Sequence, residues 1–413
     1  MYRIGFGDCF LLSLPVKNGK SAARQNHVLI DCGVHAQGDI RTMEKVVDNI
    51  AEVTDRRLEV IIATHAHQDH ISGFGKFKDV FAKFKIGEVW LPWTWDEENE
   101  KALKLQEKHA ALTEKLDQHF QALGASADPN VVNLNALNAA TNLRGNQDAI
   151  KSLKEGFGSE KVKVQYFKAG DKLESRDNFI PGLSVRILGP PVSEEFLAQM
   201  DPPRGQGYLR VGPNGAPEPV NVIQPFGNRW KIDRNSTDLR LQEEDEKKLH
   251  DQSGSSIDDV AFALDQARNN ESLVTLFTFS NKHLLFPGDA QYGNWRWWLE
   301  NERTSSDILS KINFFKIAHH GSHNATPKAA LEKMADGEFA AMVSTQSEPW
   351  GSIPRVPLMS RLDEKTKKKI VRSDWLSIDG APKPLPNSVP TMPSKLPQGF
   401  SKGDLWFDYF IQV

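Results

Sequence analysis

The stretch Leu58–Phe74, LEVIIATHAHQDHISGF, constrains this chain more than any other. Val60-Ile61-Ile62 is an apolar, β-branched run, long enough for one buried strand. Directly beyond it stand His65, His67, Asp69 and His70, inside six positions. His65 and His67 are two apart, so on an extended segment they point to the same side. Asp69 and His70 follow as the chain turns, and face a second ion from the other side. Imidazole nitrogen and carboxylate oxygen suit zinc, and also manganese or iron. The bland alternative is a polar loop that merely ends a strand, and it leaves three histidines and an aspartate without a use.

THAHQDH resembles the H-x-H-x-D-H signature of the metallo-β-lactamase fold. The resemblance implies an α/β protein, an αββα sandwich, holding two divalent metal ions, zinc first and manganese as the alternative. GFGDCFLLSL and HVLIDCG, between Gly5 and Gly33, look like that family's opening hairpin, with Asp31 and Gly33 at its end. Asp31 reads as a support for the metal loop rather than as a ligand, or as a plain turn aspartate.

With 413 residues the chain has room for one large domain with insertions or for two domains. We expect a single metallo-β-lactamase-like domain over 1–413, with a mostly helical insertion at 93–156 and an irregular one at 204–255. A net charge of −3 gives no global argument for nucleic acid, while leaving room for a local basic groove. Cys9 and Cys32 make no disulfide framework and read as buried small hydrophobes on neighbouring strands. The N-terminus lacks a basic region followed by a long apolar core, and no stretch approaches the roughly 20 apolar residues of a membrane span. The expectation is a cytoplasmic protein that does not engage a membrane.

Taken in order, Tyr2–Leu14 and His27–Asp31 read as strands joined by a turn at Lys17–Gln25. Asp39–Ala51 is a helix with Ile40, Met43, Val46, Val47 and Ile50 on one stripe. Ile71–Phe84 reads as the helix after the metal loop, and Ile86–Pro92 as the next strand. Glu97–Leu123 is charged and helical, with His109 and His119 read as surface residues. Asp128–Asn146 is loop-like or loosely helical. Trp90, Trp93 and Trp95 either line a pocket or belong to the core. Strands are expected at Lys161–Lys168, Leu183–Leu188, Leu273–Phe279, His283–Phe286, Ile312–Ile317 and Ala340–Ser344. Helices are expected at Ser256–Ala267 and Gln291–Glu302. Pro382–Pro397 is a surface excursion, and Leu405–Val413 closes a sheet. Arg361–Arg372, RLDEKTKKKIVR, is a solvated helix face or a contact for phosphates.

Three stretches far apart each end a strand with metal-ligating residue types: His65–His70, Asp289 and His319–His320. The resemblance makes Asp289, in a Gly-Asp pair, the bridge between two ions. A carboxylate has two oxygens and can hold both ions at a separation of about 3.5–4 Å. The last ligand is His319 or His320. Alternation of sides on a strand argues against both, and His320 is favoured. His319 is then left to position substrate or to pass a proton to a leaving group. Asp69 orients the nucleophile as well as ligating. His323 is an outside candidate for that last ligand and reads better as a surface residue. One departure stands out: the family commonly supplies a further histidine before a Pro-Pro pair, and Gly189 stands there. His250 sits in a charged run and does not replace it.

GFGDCFLL, LIDCG, NNESLVTLF, GDAQ and HHGS look most like the branch that contains DNA-uptake nuclease domains and phosphocholine esterases. The resemblance spans about Tyr2–Leu91 and Val162–Ser344, interrupted near Arg204–Ser253. It implies a phosphodiesterase or nuclease, with a phosphodiester or nucleic acid as substrate. Two other readings stay open. One is hydrolysis of a small ester, lactone or thioester by the same metals. The other is a subunit of a multi-protein system that binds protein partners through its insertions.

Overall fold

The computed structural model describes residues 1–16, 25–36, 42–124, 146–158, 161–174, 180–203, 205–208, 264, 267–301, 305–346, 353–375 and 395–413. The expected turn Lys17–Gln25, loop Asp128–Asn146, insertion 204–255, helix Ser256–Ala267 and excursion Pro382–Pro397 lie wholly or largely outside them. So do the start of the helix expected from Asp39, His250 and the side chain of His119.

Two sheets carry the fold. The first has five strands in sequential order: β1 (Cys9–Pro15), β2 (Gln25–Cys32), β3 (Arg57–Ile62), β4 (Lys85–Pro92) and β5 (Lys163–Phe167). The β1–β2 pair is antiparallel and the rest are parallel. The second has seven strands: β6 (Lys172–Leu173), β7 (Leu183–Gly189), β8 (Val274–Phe279), β9 (Lys282–Phe286), β10 (Ile312–Lys316), β11 (Ala340–Val343) and β12 (Ile370–Arg372). It runs antiparallel as far as β9 and parallel from β9 to β12.

Period-two alternation assigns each strand's faces. Val60 and Ile62 of β3 join Phe277, Phe286 and Phe314 in a core between the sheets. Ile61 turns the other way, toward a helical layer built from α1 (Met43–Val53), α2 (Gln68–Lys76), α3 (Lys78–Phe81) and, beyond α4 (Glu100–Gly124), α5 (Gln147–Glu155). On the far side Leu276, Leu285 and Phe315 pack against Trp295 and Trp298 of a helix at Tyr292–Asn301. Helix, sheet, sheet and helix therefore stack as the αββα sandwich of the metallo-β-lactamase fold. Val60, Ile61 and Ile62 are all fully buried, as an unbroken apolar run in a parallel strand requires.

The elements depart from the sequence reading at four places. The helix after the metal loop starts at Gln68, not at Ile71, and breaks at Phe77. Asp69 and His70 thus sit in its first turn. It rides close on its neighbours: a β-carbon on Gly73 would meet the Cys32 carbonyl oxygen at 2.6 Å, and one on Gly75 the Ala149 nitrogen at 2.9 Å. β1 begins only at Cys9, because the chain crosses Gly5 at a positive φ of 105°, leaving Tyr2 a lone bridge to Trp406. The C-terminal stretch makes a separate hairpin, β13 (Phe400–Lys402) with β14 (Phe407–Tyr409), instead of closing a large sheet. The basic run Arg361–Arg372 is half helix and half buried strand. Arg361 pairs with Glu332 at 2.8 Å, Lys365 with Asp336 at 2.6 Å, and Arg372 with Asp374 at 2.8 Å. Cys9 and Cys32 face each other across β1–β2 as free, buried thiols.

Candidate metal centre

The parallel strands β2 and β3 end side by side, and the centre is built at their carboxyl ends. Asp31, at a left-handed φ of 56°, closes β2. Its Oδ1 accepts the Thr64 backbone N–H at 2.8 Å, and its Oδ2 accepts the Thr64 hydroxyl at 2.7 Å. That fixes the start of the metal loop. Oδ2 also accepts from His70 Nδ1 at 2.7 Å. A carboxylate can only accept here, so His70 carries a proton on Nδ1, which leaves Nε2 as the nitrogen that would face an ion.

His320 is fixed in the same way. Its Nδ1 donates to the Ser344 carbonyl at 2.8 Å. Its Nε2 lies 3.1 Å from Asp69 Oδ2 and 3.4 Å from Asp289 Oδ2. His70 Nε2 stands 3.1 Å from the same Asp289 oxygen. Asp69, His70, Asp289 and His320 are all buried, and one donor atom from each lies within 4.8 Å of the others. Donors bound to one cation at about 2.0–2.2 Å stand roughly 3.4 Å apart at tetrahedral angles. The set thus fits a divalent ion that takes imidazole nitrogen and carboxylate oxygen together.

His65 and His67 form a second convergence. The Thr64 hydroxyl spends its proton on Asp31, so it accepts from His65 Nδ1 at 3.1 Å. His65 therefore presents a lone pair at Nε2, which lies 3.0 Å from His67 Nδ1. Two imidazole nitrogens at that spacing share a proton or a cation.

The electrostatics differ between the two groups. Burial pushes His65 well below the ordinary imidazole value and His67 down to about 3, so both are neutral. Burial also acts on His70 and His320, but Asp289 and the other carboxylates outweigh it and raise both. Burial alone would raise Asp69 and Asp289, yet His70 and its neighbours hold both low. Asp8, Asp31, Asp69 and Asp289 are four carboxylates with at most 2% exposure, and the ammonium in direct contact with two of them is that of Lys316. Buried anions in such excess call for cations.

Asp289 is delivered by a sharp turn at Gly288, whose φ is 57° and where a β-carbon would meet Thr64 Cβ at 2.9 Å. Ser272 Oγ receives the Asp289 N–H at 3.0 Å. His319 and His320 do not lie on a strand. They form a left-handed pair, with φ of 48° and 52°, just past β10. That conformation is costly for residues with a β-carbon and accumulates at functional sites. It sends His320 into the group of four and His319 elsewhere. His319 Nδ1 lies 3.2 Å from Asn324 Oδ1, and its Nε2 lies 3.3 Å from Asn269 Nδ2. Burial brings this imidazole down to about 4. His323 is partly exposed and pairs with Asp201 at 3.3 Å.

Gly189 has no room to be anything else. A β-carbon there would overlap Asn294 Oδ1 and come within 2.8 Å of Val274 Cγ2. Asn294 is held in place by its donation to Asn270 Oδ1 at 2.7 Å. The space that a further histidine would need is filled.

Sequence reasoning missed Asp8, Lys316, Asn269 and Glu271. A signal for Lys316 was present: a lone charge inside INFFKIA, an otherwise apolar strand. His109 is the clearest correction. It is buried, and its Nδ1 lies 3.0 Å from buried Glu271, two positions beyond Asn269. A buried glutamate needs a cationic or hydrogen-bonding partner, and α4 brings one. Helix α5 joins in as well, because Asn146 at its N-terminus donates to the Ala66 carbonyl at 2.6 Å, between the two histidines. Trp90 and Trp95 belong to the apolar cores.

Residues 22–229, half of the chain, match the family model of the metallo-beta-lactamase superfamily. No curated protein matches the chain. Among the described residues no helix is long and apolar enough to cross a membrane. Matched sequence, layered sheets and buried histidine–aspartate groups at the strand ends agree: the chain belongs to the metallo-β-lactamase superfamily, whose members are mostly metal-dependent hydrolases.

Proposed function

We propose that the protein hydrolyses phosphodiester bonds, a nuclease being one form of that activity, with two divalent ions, zinc or else manganese. One observation carries the reading: Asp69, His70, Asp289 and His320 converge beside the His65–His67 pair. The first four would hold one ion, and His65 and His67 the other. Bound there, the ions would bring the pKa of a water toward neutrality and stabilise charge developing at phosphorus.

The chain's own residues do the rest. Asp31 and Ser344 keep His70 and His320 in the tautomer that ligates. Asp69 orients the attacking group. His319, neutral at pH 7 with a pKa of about 4, binds rather than gives a proton. Its Nε2, now against the Asn269 amide, is the atom that meets the substrate. The choice of a phosphodiester rests on the likeness of GDAQ and HHGS to DNA-uptake nuclease domains and phosphocholine esterases.

A second reading, hydrolysis of a small ester, lactone or thioester, is favoured by the pairing of Arg361 and Arg372 with acids. That pairing ties up Arg361 and Arg372, the cations at the two ends of the basic run. Purified protein should be given linear and circular DNA, RNA, a generic phosphodiester and a generic ester, each with zinc or manganese. Phosphodiester cleavage that vanishes in Asp289→Ala supports the first reading. Cleavage of the ester alone moves the assignment to the second.

A further inference from the structure

We propose that Lys316 is a positioning residue of the metal centre: paired with Asp8, it holds Asp289 so that Oδ1 turns away and Oδ2 alone faces the ions. This rests on the metal-centre reading above. Lys316 closes β10 and is 2% exposed. An ammonium has three protons, and each has an acceptor here. One goes to the Gly288 carbonyl at 2.8 Å, one to Asp289 Oδ1 at 3.2 Å, and one to the Asp8 carboxylate. None is left over for a substrate.

The partners are pinned in turn. The Asp8 N–H donates to the Asp69 carbonyl at 2.8 Å, and the Asp8 carbonyl accepts from Gly33 at 3.1 Å. One buried cation thus ties together the N-terminal loop, the metal loop and the turn that delivers Asp289. The Asp289 carboxylate is split as a result. Oδ1 belongs to Lys316, while Oδ2 faces His70 at 3.1 Å and His320 at 3.4 Å. Held this way, Asp289 would have one oxygen, Oδ2, to offer a metal, where the sequence alone led us to expect both.

The test replaces the pair together, because Lys316→Met alone strands a buried carboxylate. Asp8→Asn/Lys316→Met removes both charges and keeps the site's net charge. Zinc affinity is measured by competition with a chromophoric chelator, and coordination by the visible spectrum of the cobalt form. The double variant is expected to bind about 10- to 100-fold more weakly, the usual cost of losing a group that orients a ligand, with an altered cobalt spectrum. Unchanged affinity and spectrum in a folded double variant would overturn the proposal. If the unmodified protein takes up no ion, the metal-centre reading falls and this inference with it. If the unmodified protein binds ions and the variant matches it, only this inference falls. Should the double variant not fold, the unmodified protein decides. Nitrogen-15 lysine labelling follows the Lys316 ammonium, which stays protected from solvent exchange after zinc is added if it keeps Oδ1. Loss of that protection on zinc binding would overturn the proposal.

Discussion

The two halves of the metal centre lie side by side and are built differently. Asp69, His70, Asp289 and His320 combine nitrogen and carboxylate donors, and each imidazole is fixed by an acceptor behind it. His65 and His67 offer two neutral nitrogens, and two hydroxyls meet the His65 ring. Where relatives supply a further imidazole to such a site, Asn294 and Val274 close the space around Gly189. The difference predicts unequal affinity for the two sites proposed. The half with negative charge behind it should fill first and hold longer.

The sharpest way to break this comparison is Asp289→Ala. It removes the carboxylate aimed at both His70 and His320, and hydrolysis should fall by about 100- to 1,000-fold or more, the scale of losing a preorganised charge at a reacting centre. Full activity in that variant would sink the account. Next come paired titrations. His320→Ala should abolish the tighter of two binding events seen by calorimetry, and His67→Ala only the weaker. In the unmodified protein the two should differ by at least about tenfold, or about 1.4 kcal/mol. Equal affinities would erase the distinction between the halves.

Asp31→Asn touches no ion and tests the support behind His70. It should weaken the tighter event by about 10- to 100-fold while leaving the fold intact by near-ultraviolet dichroism. Gly189→Ala tests whether the weaker half is closed by packing. The overlap with Asn294 should cost about 1–3 kcal/mol of stability in a denaturant titration. No change would mean the space is less filled than the structure indicates.

The smallest effect concerns Glu271, which burial would raise but which Arg268 and His109 hold below its ordinary value of 4.5. A depressed carboxylate contributes stability that is fully present above its unfolded value and is lost as pH falls through the folded one. Acid titration of stability below about pH 4.5 should therefore be shallower in Glu271→Gln, since the pair with His109 no longer titrates. An unchanged acid limb would remove Glu271 from the set of stabilising groups.

Much of this was legible in the sequence, for a physical reason. β3 announced itself because a fully buried strand has few ways to be written, and Val60-Ile61-Ile62 uses one of them. The histidines beyond it stood out because a buried strand has no packing use for three imidazoles and a carboxylate at its end. Alternation on a strand argued only that His319 and His320 do not both ligate one ion. The chain there is a left-handed turn, so that rule does not apply, and the separation of the two rings comes from φ values no pattern encodes. His109 was hidden because helical periodicity reports only how a helix faces an average core. It cannot show that Glu271, far along the chain, needs a partner. Asp8 was overlooked because a charge in a glycine-flanked loop looks solvated until Lys316 is placed beside it.

The distance along the chain between Asp69 and His320, 251 positions, carries one more consequence. A ribosome emits the first cluster of histidines long before it emits the last one. An emerging N-terminal half therefore has the His65–His67 pair but no closed cage, and whatever ion it catches is loosely kept. The stronger cage closes only when β10 docks beside β9 and swings His320 inward. In the centre proposed here, stable ion capture would therefore wait for both sheets, and retention of added zinc by a newly made chain would read out whether they have come together.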